Sequence, residues 1–331
     1  MDGKDPKNLP EGYRFTGNGN LNYEIKEKLG EGTFSTVYRV ICLETSENYA
    51  LKIGKIQLNT GKFHQLLDET NMYKYIKKNV SEDDLQYFGN FIDNFIDEED
   101  ELFCIILDLY PNDVFYHIKK SGYKGFSLID VQRILRDFAS GINILHKINI
   151  IHTDLKPENL IITKEGITKI IDFGGSIPVT NNYSGYVQSR FYRAPETILK
   201  YKLTQAIDVW SFGCIAFEIF FGLPLFPGKS SLHMLQLMQI RLGKFPRQII
   251  HSSPCGKDFF DEENVKEIDH VSDHPYLFNK TLKQLILSRP KGSQRVLMSF
   301  YNLVSKCLDF NVDERAKPDW IINHSFLHLN L

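Results

Sequence analysis

Four side chains in one short stretch could carry chemistry. Asp154, Lys156 and Asn159 lie in Ile151-His152-Thr153-Asp154-Leu155-Lys156-Pro157-Glu158-Asn159. An apolar Leu160-Ile161-Ile162 run and a Lys164-Glu165-Gly166 turn then lead to Asp172 in Ile170-Ile171-Asp172-Phe173-Gly174. Two apolar runs joined by a turn read as a hairpin, with two carboxylates, an amine and a carboxamide around it. A carboxylate such as Asp154 can orient a hydroxyl or take its proton, and an ammonium such as Lys156 can meet the charge on a transferring phosphoryl group. Asn159 and Asp172 offer the hard oxygen atoms that Mg²⁺ takes as ligands. Turn and cap duties are the ordinary explanation of such residues, but type, order and spacing together favour the chemical one.

A second group lies upstream. Leu29-Gly30-Glu31-Gly32-Thr33-Phe34-Ser35-Thr36-Val37 places a Gly-x-Gly between two apolar runs. Glycine lacks a Cβ, so backbone N–H groups there could approach phosphate oxygens, with Val37 as a roof over a flat base. An ordinary hairpin turn explains two glycines as well. The pattern is neither GxxxxGK[ST] nor a strand-to-helix GxGxxG, which disfavours the P-loop and dinucleotide-binding folds. Lys52 follows in the apolar strand Tyr49-Ala50-Leu51-Lys52-Ile53. An exposed strand lysine is the bland reading. A buried partner makes the other one, and Glu69 on the inward face of the next helix supplies it: such a pair can hold the ammonium against a polyphosphate.

The elements that must position these groups can be read from periodicity. Short apolar runs at Tyr23–Leu29, Thr36–Cys42, Asn48–Ile53, Phe88–Phe95 and Phe103–Asp108 read as strands. One helix interrupts them over His64–Lys77, where Leu66, Glu69, Tyr73 and Ile76 share a face. The next predicted helix is Leu128–His146, with Ser127 and Asp130 spaced as a capping box and Val131, Ile134, Leu135, Phe138, Ile142 and Leu145 as an apolar stripe. Strands first and helices after point to an α+β fold or two domains with a cleft between them. Residues 1–20, rich in Gly, Asn, Lys and Pro, read as a flexible or loosely docked arm, with order beginning near Leu21. Residues 229–295 read as a polar interlude. The acidic run Asp97–Glu101 reads as a solvated hairpin turn, and Asp258, Asp261, Glu262, Glu263, Glu267 and Asp269 as a solvated face.

Composition bounds the function. The 331 residues carry 39 Lys and Arg against 41 Asp and Glu, a net charge of -2, which gives no whole-chain attraction to nucleic acid or anionic membrane. At 42% hydrophobic and 24% charged, the chain has the mix of a folded protein. Five unpaired-looking cysteines suggest neither a disulfide framework nor a zinc site. The opening residues lack the apolar core of a signal peptide, and Trp210–Phe226, with Glu218, Gly222 and Pro224, reads as a buried helix rather than a membrane span. The expectation is a soluble intracellular protein.

Taken together these motifs resemble those of the eukaryotic protein kinases over about Leu21–Leu331. The resemblance implies a bilobal α+β fold, with an N-lobe at 21–108 and a C-lobe at 111–331 that carries a CMGC-type insert at about 229–295. It implies ATP and Mg²⁺ as cofactors and protein substrates. Residue by residue, Leu29, Gly30, Glu31, Gly32 and Val37 match the glycine-rich loop, Lys52 the strand lysine, Glu69 its helix partner, Asp154 and Lys156 the catalytic pair, and Asn159 and Asp172 the metal ligands. Ala50, Ile161 and the hinge residues Asp108, Leu109 and Tyr110 would enclose adenine, with Leu107 as the gate behind it. Ala194-Pro195-Glu196 resembles the end of an activation segment, Asp208-Val209-Trp210-Ser211-Phe212-Gly213 a central buried helix, and Arg315 the partner of Glu196.

Within that family Ser184–Arg193 is similar to the CMGC group, in which Tyr186 would be a phosphotyrosine received by Arg190 and Arg193; Tyr183 and Ser184 are weaker candidates. His152-Thr153-Asp154 lacks the arginine of the usual His-Arg-Asp, so control through that arginine is not expected. Thr153 and the Leu225–Lys229, His233–Leu235 and Leu242–Pro246 segments most resemble the pre-mRNA-processing-factor-four splicing kinases, with the DYRK and CLK branches as near relatives. That resemblance implies Ser/Arg-rich or Ser-Pro-containing splicing factors as substrates, no direct nucleic acid or membrane partner, a monomer, and a nuclear or cytoplasmic location with the nucleus favoured. DYRK-like or CLK-like dual specificity is the alternative, and a pseudokinase scaffold the alternative of another class.

Overall fold

Burial alternates along Thr36–Cys42: Thr36, Tyr38, Val40 and Cys42 are buried and the residues between them less so, which is how a strand with one face on a core must read. This strand is the third of a six-stranded antiparallel sheet in a computed structural model that describes residues 5–32, 35–56, 61–179, 187–267 and 280–330. The strands are β1 (Arg14–Thr16), β2 (Asn22–Glu31), β3 (Thr36–Cys42), β4 (Asn48–Lys55), β5 (Phe91–Asp97) and β6 (Leu102–Asp108), in the order β1-β2-β3-β4-β6-β5. Helix α1 (Gly61–Asn79) connects β4 to β5 and packs Leu66 against Phe103 and Ile105. The chain forms two compact units. One holds Met1–Pro111 with Ile170–Ser176, the other Asn112–Lys169 with Ile177–Leu331.

Of the two expectations for the opening segment, a flexible or a loosely docked arm, the structure shows docking for the described residues from Asp5 onward. Leu9 and Phe15 are buried in the core of the sheet with Tyr23, Tyr38 and Phe95, and β1 pairs with β2 through Phe15↔Tyr23. Among the residues that read as disorder, Asn8 lies in a bend, Gly12 in a turn and Asn18–Asn20 in a 3₁₀ turn, while the two apolar side chains supply the docking energy. The acidic turn is drawn in as well, since Tyr13 Oη donates to Asp100 at 2.5 Å. The fourth predicted strand begins later than expected, at Phe91. Asp84–Tyr87 forms a 3₁₀ turn, and Phe88 makes only an isolated parallel bridge to Ile170.

The second unit is helical: α2 (Val114–Lys120), α3 (Leu128–Lys147), α4 (Pro195–Ile198), α5 (Ala206–Phe221), α6 (Ser231–Leu242), α7 (Arg247–Ser252), α8 (Gly256–Phe259), α9 (Leu282–Leu287), α10 (Gln294–Cys307) and α11 (Pro318–Ile322). Ser127 caps α3 by accepting from Asp130 N, and its whole predicted stripe is buried. Helix α5 is buried along Ile207–Phe221, as a helix apolar on every side must be, and ends at Gly222 with φ 95°. The polar interlude contains α6–α9, three of them too short to show a period. Short strands β7 (Ile150–Ile151), β8 (Leu160–Ile162), β9 (Thr168–Ile170) and β10 (Ile177–Pro178) form the pairs β7–β10 and β8–β9. Among the described residues no helix is long and apolar enough to cross a membrane, and no cysteine is bridged.

Candidate active site

In the first unit, β4 is central to the sheet, and the pairings Val37↔Lys52 and Lys52↔Ile105 fix its register. Lys52 Nζ lies 2.7 Å from Glu69 Oε2 and 2.9 Å from Asp172 Oδ1. Glu69 is 1% exposed, on the buried side of α1 with Leu66, Tyr73 and Ile76, whereas Asp68 is exposed. Burial alone would lower the Lys52 pKa, but the charges of Glu69 and Asp172 outweigh it and push it above its ordinary value, so the amine is a fixed ammonium. Asp172 is anchored by its neighbour in the chain: Phe173 is 1% exposed and meets the Tyr73 ring edge-on at 5.0 Å. Asp172 itself has φ 63°. This is unusual backbone for a non-glycine residue and a mark of a constrained position.

The glycine-rich turn is the tip of the β2–β3 hairpin. Gly30 pairs with Val37 and Glu31 with Thr36, beyond a bulge at Leu29, and Gly32 N donates to Ser35 O. Neither glycine has positive φ. Among the described residues, a Cβ on Gly30 would meet nothing within 4 Å, and one on Gly32 only Ser35 O at 3.5 Å. The fold itself therefore does not demand glycine at either position; a ligand approaching the backbone would. Thr33 and Phe34 lie outside the described residues. Leu29 is exposed, Val37 and Ala50 half-buried, and Leu107 packs against the Leu66 cluster. At the predicted hinge, Asp108 N donates to Asn90 O, while Tyr110 Oη accepts from Asn90 N and sits 3.4 Å from Asp108 Oδ2.

In the second unit the loop after β7 folds around Asp154. Lys156 Nζ donates to Asp154 Oδ2 at 2.8 Å, Ser189 N donates to Oδ1 at 2.9 Å, and Asn159 Nδ2 donates to the Asp154 carbonyl at 2.9 Å. The last bond fixes which way the Asn159 amide points: with its nitrogen committed as donor, its oxygen is left as the acceptor. The donor types of Asn159 and Asp172, an amide oxygen and a carboxylate, suit Mg²⁺. Ile161 is buried on β8 and bridges to Asp113.

The part that several residues play in positioning this loop escaped sequence reasoning. Asp208, 1% exposed in the first turn of α5, accepts from His152 N at 2.9 Å and Thr153 N at 3.0 Å and lies 3.0 Å from the His146 ring. Thr153 has φ 68°, backbone that a β-branched residue rarely adopts, and the buried carboxylate holds it there. Ser189 also sits near Lys156, Oγ to Nζ 3.5 Å. Buried Gln188 donates to Tyr192 O, Ile207 O and Ser211 Oγ and accepts from Ala194 N and Thr197 Oγ1. The sequence marked Asp208 as the start of the Asp208–Gly213 motif but gave no sign of its bonds to the loop backbone. A lone Gln or Ser gives none.

The Glu196–Arg315 pair forms as expected, a two-pronged contact at 2.5 and 3.0 Å with neither side chain more than 2% exposed. Tyr183, Ser184 and Tyr186 lie outside the described residues. Of the two arginines assigned to a Tyr186 phosphate, Arg190 is exposed, whereas Arg193 is buried and donates to the carbonyls of Val187 and Gln188. In the acidic cluster, Glu263 pairs with Arg247 and lies 4.0 Å from Lys244, so it is not merely solvated; Asp269 lies outside the described residues.

A family model described as "Protein kinase domain" matches residues 23–327. The chain is 32% identical over 322 residues to the Drosophila melanogaster "Dual specificity tyrosine-phosphorylation-regulated kinase 2", covering 93% of this chain and 41% of that protein. It is 34% identical over 318 residues to "Serine/threonine-protein kinase ppk5" of Schizosaccharomyces pombe, with 92% and 36% covered. It is also 34% identical over 320 residues to "Dual specificity tyrosine-phosphorylation-regulated kinase 3" of Rattus norvegicus, with 92% and 54% covered. The chain thus spans roughly a third to a half of the length of these curated relatives. With the domain match running through both units and carrying the motif residues in order, the chain belongs to the protein kinase domain family.

Proposed function

We propose that the chain is an ATP- and Mg²⁺-dependent protein serine/threonine kinase of the DYRK-like, dual-specificity type. The observation that carries this reading is the Lys52 ammonium held between the carboxylates of Glu69 and Asp172. A charge fixed in this way is ready for a polyphosphate, and a scaffold that had lost the reaction would have no need to keep it. Gly30 and Gly32, lacking side chains, let phosphates approach the backbone of the turn. Mg²⁺ bound with ATP would neutralise phosphate charge, and Asn159 and Asp172 each offer an oxygen of the kind it takes. Asp154, its carboxylate oriented by Ser189 N and Lys156, positions the acceptor hydroxyl or takes its proton, while Lys156 supplies positive charge for the transferring group.

The names of the relatives favour the DYRK-like reading over the splicing-kinase one. A basic residue on the substrate fits Glu158, which brings a further carboxylate to the catalytic loop. Its charge reaches buried Glu218, which accepts from Tyr192 Oη at 2.8 Å. Ser/Arg-rich splicing factors are one such substrate class and Ser-Pro-containing ones a second, and nuclear residence and autophosphorylation at Tyr186 belong to the same reading.

The test is radiolabelled γ-phosphate transfer to a positional-scanning peptide library. Wild-type protein is expected to turn over at roughly 1–100 s⁻¹ on a good serine peptide, with arginine favoured near the acceptor. Asp154→Asn is expected to lose most transfer, and the Tyr186 phosphate with it by mass spectrometry. Equal activity in the variant would remove Asp154 from its role. ATP binding without transfer to any peptide would favour the scaffold reading.

A further inference from the structure

The buried N-terminal segment reaches the phosphate-binding hairpin. Asp5 opens a turn in which Lys7 N donates to Asp5 Oδ1 at 3.1 Å and Asn8 N to Asp5 O at 3.0 Å. The turn lays the chain against β2 and β3. Tyr38, 1% exposed, donates its hydroxyl to Pro6 O at 2.9 Å and accepts from Leu9 N at 3.2 Å, and Leu9 is itself 6% exposed. From this anchor, contacts run to the hairpin tip. Lys28 Nζ donates to Lys7 O at 3.0 Å and to Glu31 Oε2 at 2.8 Å, and Lys7 Nζ lies 2.6 Å from Glu31 Oε1. The carboxylate between the two glycines is therefore held by two ammonium groups, one from its own strand and one from the N-terminal segment. Hydrogen bonds from Lys28 and then Lys7 hold its pKa down at about 2, so it stays charged.

A hairpin tip that binds phosphate through its backbone must be ordered when it does so. A tether that already restricts the free tip leaves less ordering to be done on binding, which raises affinity without adding a contact to the ligand. The ion pairs are exposed and weak individually. The buried Tyr38 and Leu9 contacts keep Lys7 in reach. We propose that residues 5–9 form a strap on the phosphate-binding hairpin, with Lys7 a positioning residue for nucleotide acting through Glu31. The nucleotide part rests on the kinase reading above. The restraint itself does not.

The experiment uses the full chain and two variants, Lys7→Glu, which sets like charges side by side, and Tyr38→Phe, which removes both buried hydrogen bonds. Amide hydrogen exchange without nucleotide reads the restraint, and Mg-ATP titration with steady-state kinetics reads its use. In both variants exchange across 28–38 is expected to quicken while the rest of the sheet is unchanged. The Kd and KM for ATP are expected to rise roughly twofold to fivefold, in line with a weak ion pair, at constant kcat and peptide KM. Adding Glu31→Lys to Lys7→Glu should recover affinity relative to Glu31→Lys alone. Wild-type exchange and ATP affinity in both variants would overturn the strap, as would quickened exchange spread over the whole sheet. Wild-type protein that does not bind Mg-ATP would instead overturn the kinase reading, and Lys7's role with it.

Discussion

Lys52 is the residue on which the site's electrostatics turn. Glu69 is almost fully buried and cannot keep its charge there without a partner, while Asp172, on the same ammonium, is partly open to water. Removing the amine leaves the buried carboxylate uncompensated, so Lys52→Ala is expected to abolish transfer and also to destabilise the protein by about 3–5 kcal/mol. Glu69→Gln added to Lys52→Ala removes the stranded charge and should recover much of that stability without recovering activity. Urea unfolding of wild type, single and double variants measures this. A Lys52→Ala protein of wild-type stability would mean that the pair contributes nothing to the fold. Type and spacing made Lys52, Glu69 and Asp172 visible in the sequence. The helix face shared with Leu66, Tyr73 and Ile76 singled out Glu69, and the structure places it inside.

At the scale of elements, helix α5 organises the second unit. Its first turn offers Asp208 to the backbone of the loop before Asp154, its length is buried, and its end is made by Gly222. Two constraints meet at that glycine. At φ 95° a side chain costs about 1–3 kcal/mol in backbone strain, and a Cβ would lie 2.1 Å from Tyr123 O. Gly222→Ala is therefore expected to lower the thermal midpoint by several degrees with the helical circular dichroism retained at low temperature. An unchanged midpoint would show that the α5 end can relax. The long α3 and α5 were legible because period and capping agree over many residues. The elements between 231 and 287 were not, because they span one to three turns and their burial comes from neighbours distant in sequence.

For the whole molecule, the buried Glu218 predicts a dependence of stability on pH. Burial, with the Glu158 charge adding and the Tyr192 hydrogen bond opposing, raises its pKa from 4.5 to about 7. The folded state therefore holds a proton that the unfolded state releases between these values. The stabilisation from this group is fully present below about pH 4.5, is lost as the pH rises to about 7, and is flat above, in total on the order of 3 kcal/mol. Urea midpoints at pH 5, 6, 7 and 8 should fall more steeply with rising pH for wild type than for Glu218→Gln. Parallel profiles would show that Glu218 keeps an ordinary pKa.

What the sequence alone determined were the groups whose role depends on type and local spacing: the Gly30–Gly32 turn, Lys52, the Asp154–Asn159 loop, Asp172, and the long elements with a clear period. Tertiary structure decided what depends on partners far along the chain. It seated residues 5–20, which composition made look mobile, because Leu9 and Phe15 find the face of a sheet formed by later strands. It gave Asp208 and Ser189 their duties around Asp154, and tied Lys7 to Glu31. Periodicity reports one element's own faces. It carries no information about which distant carboxylate, amide or ammonium will meet them once the chain has folded.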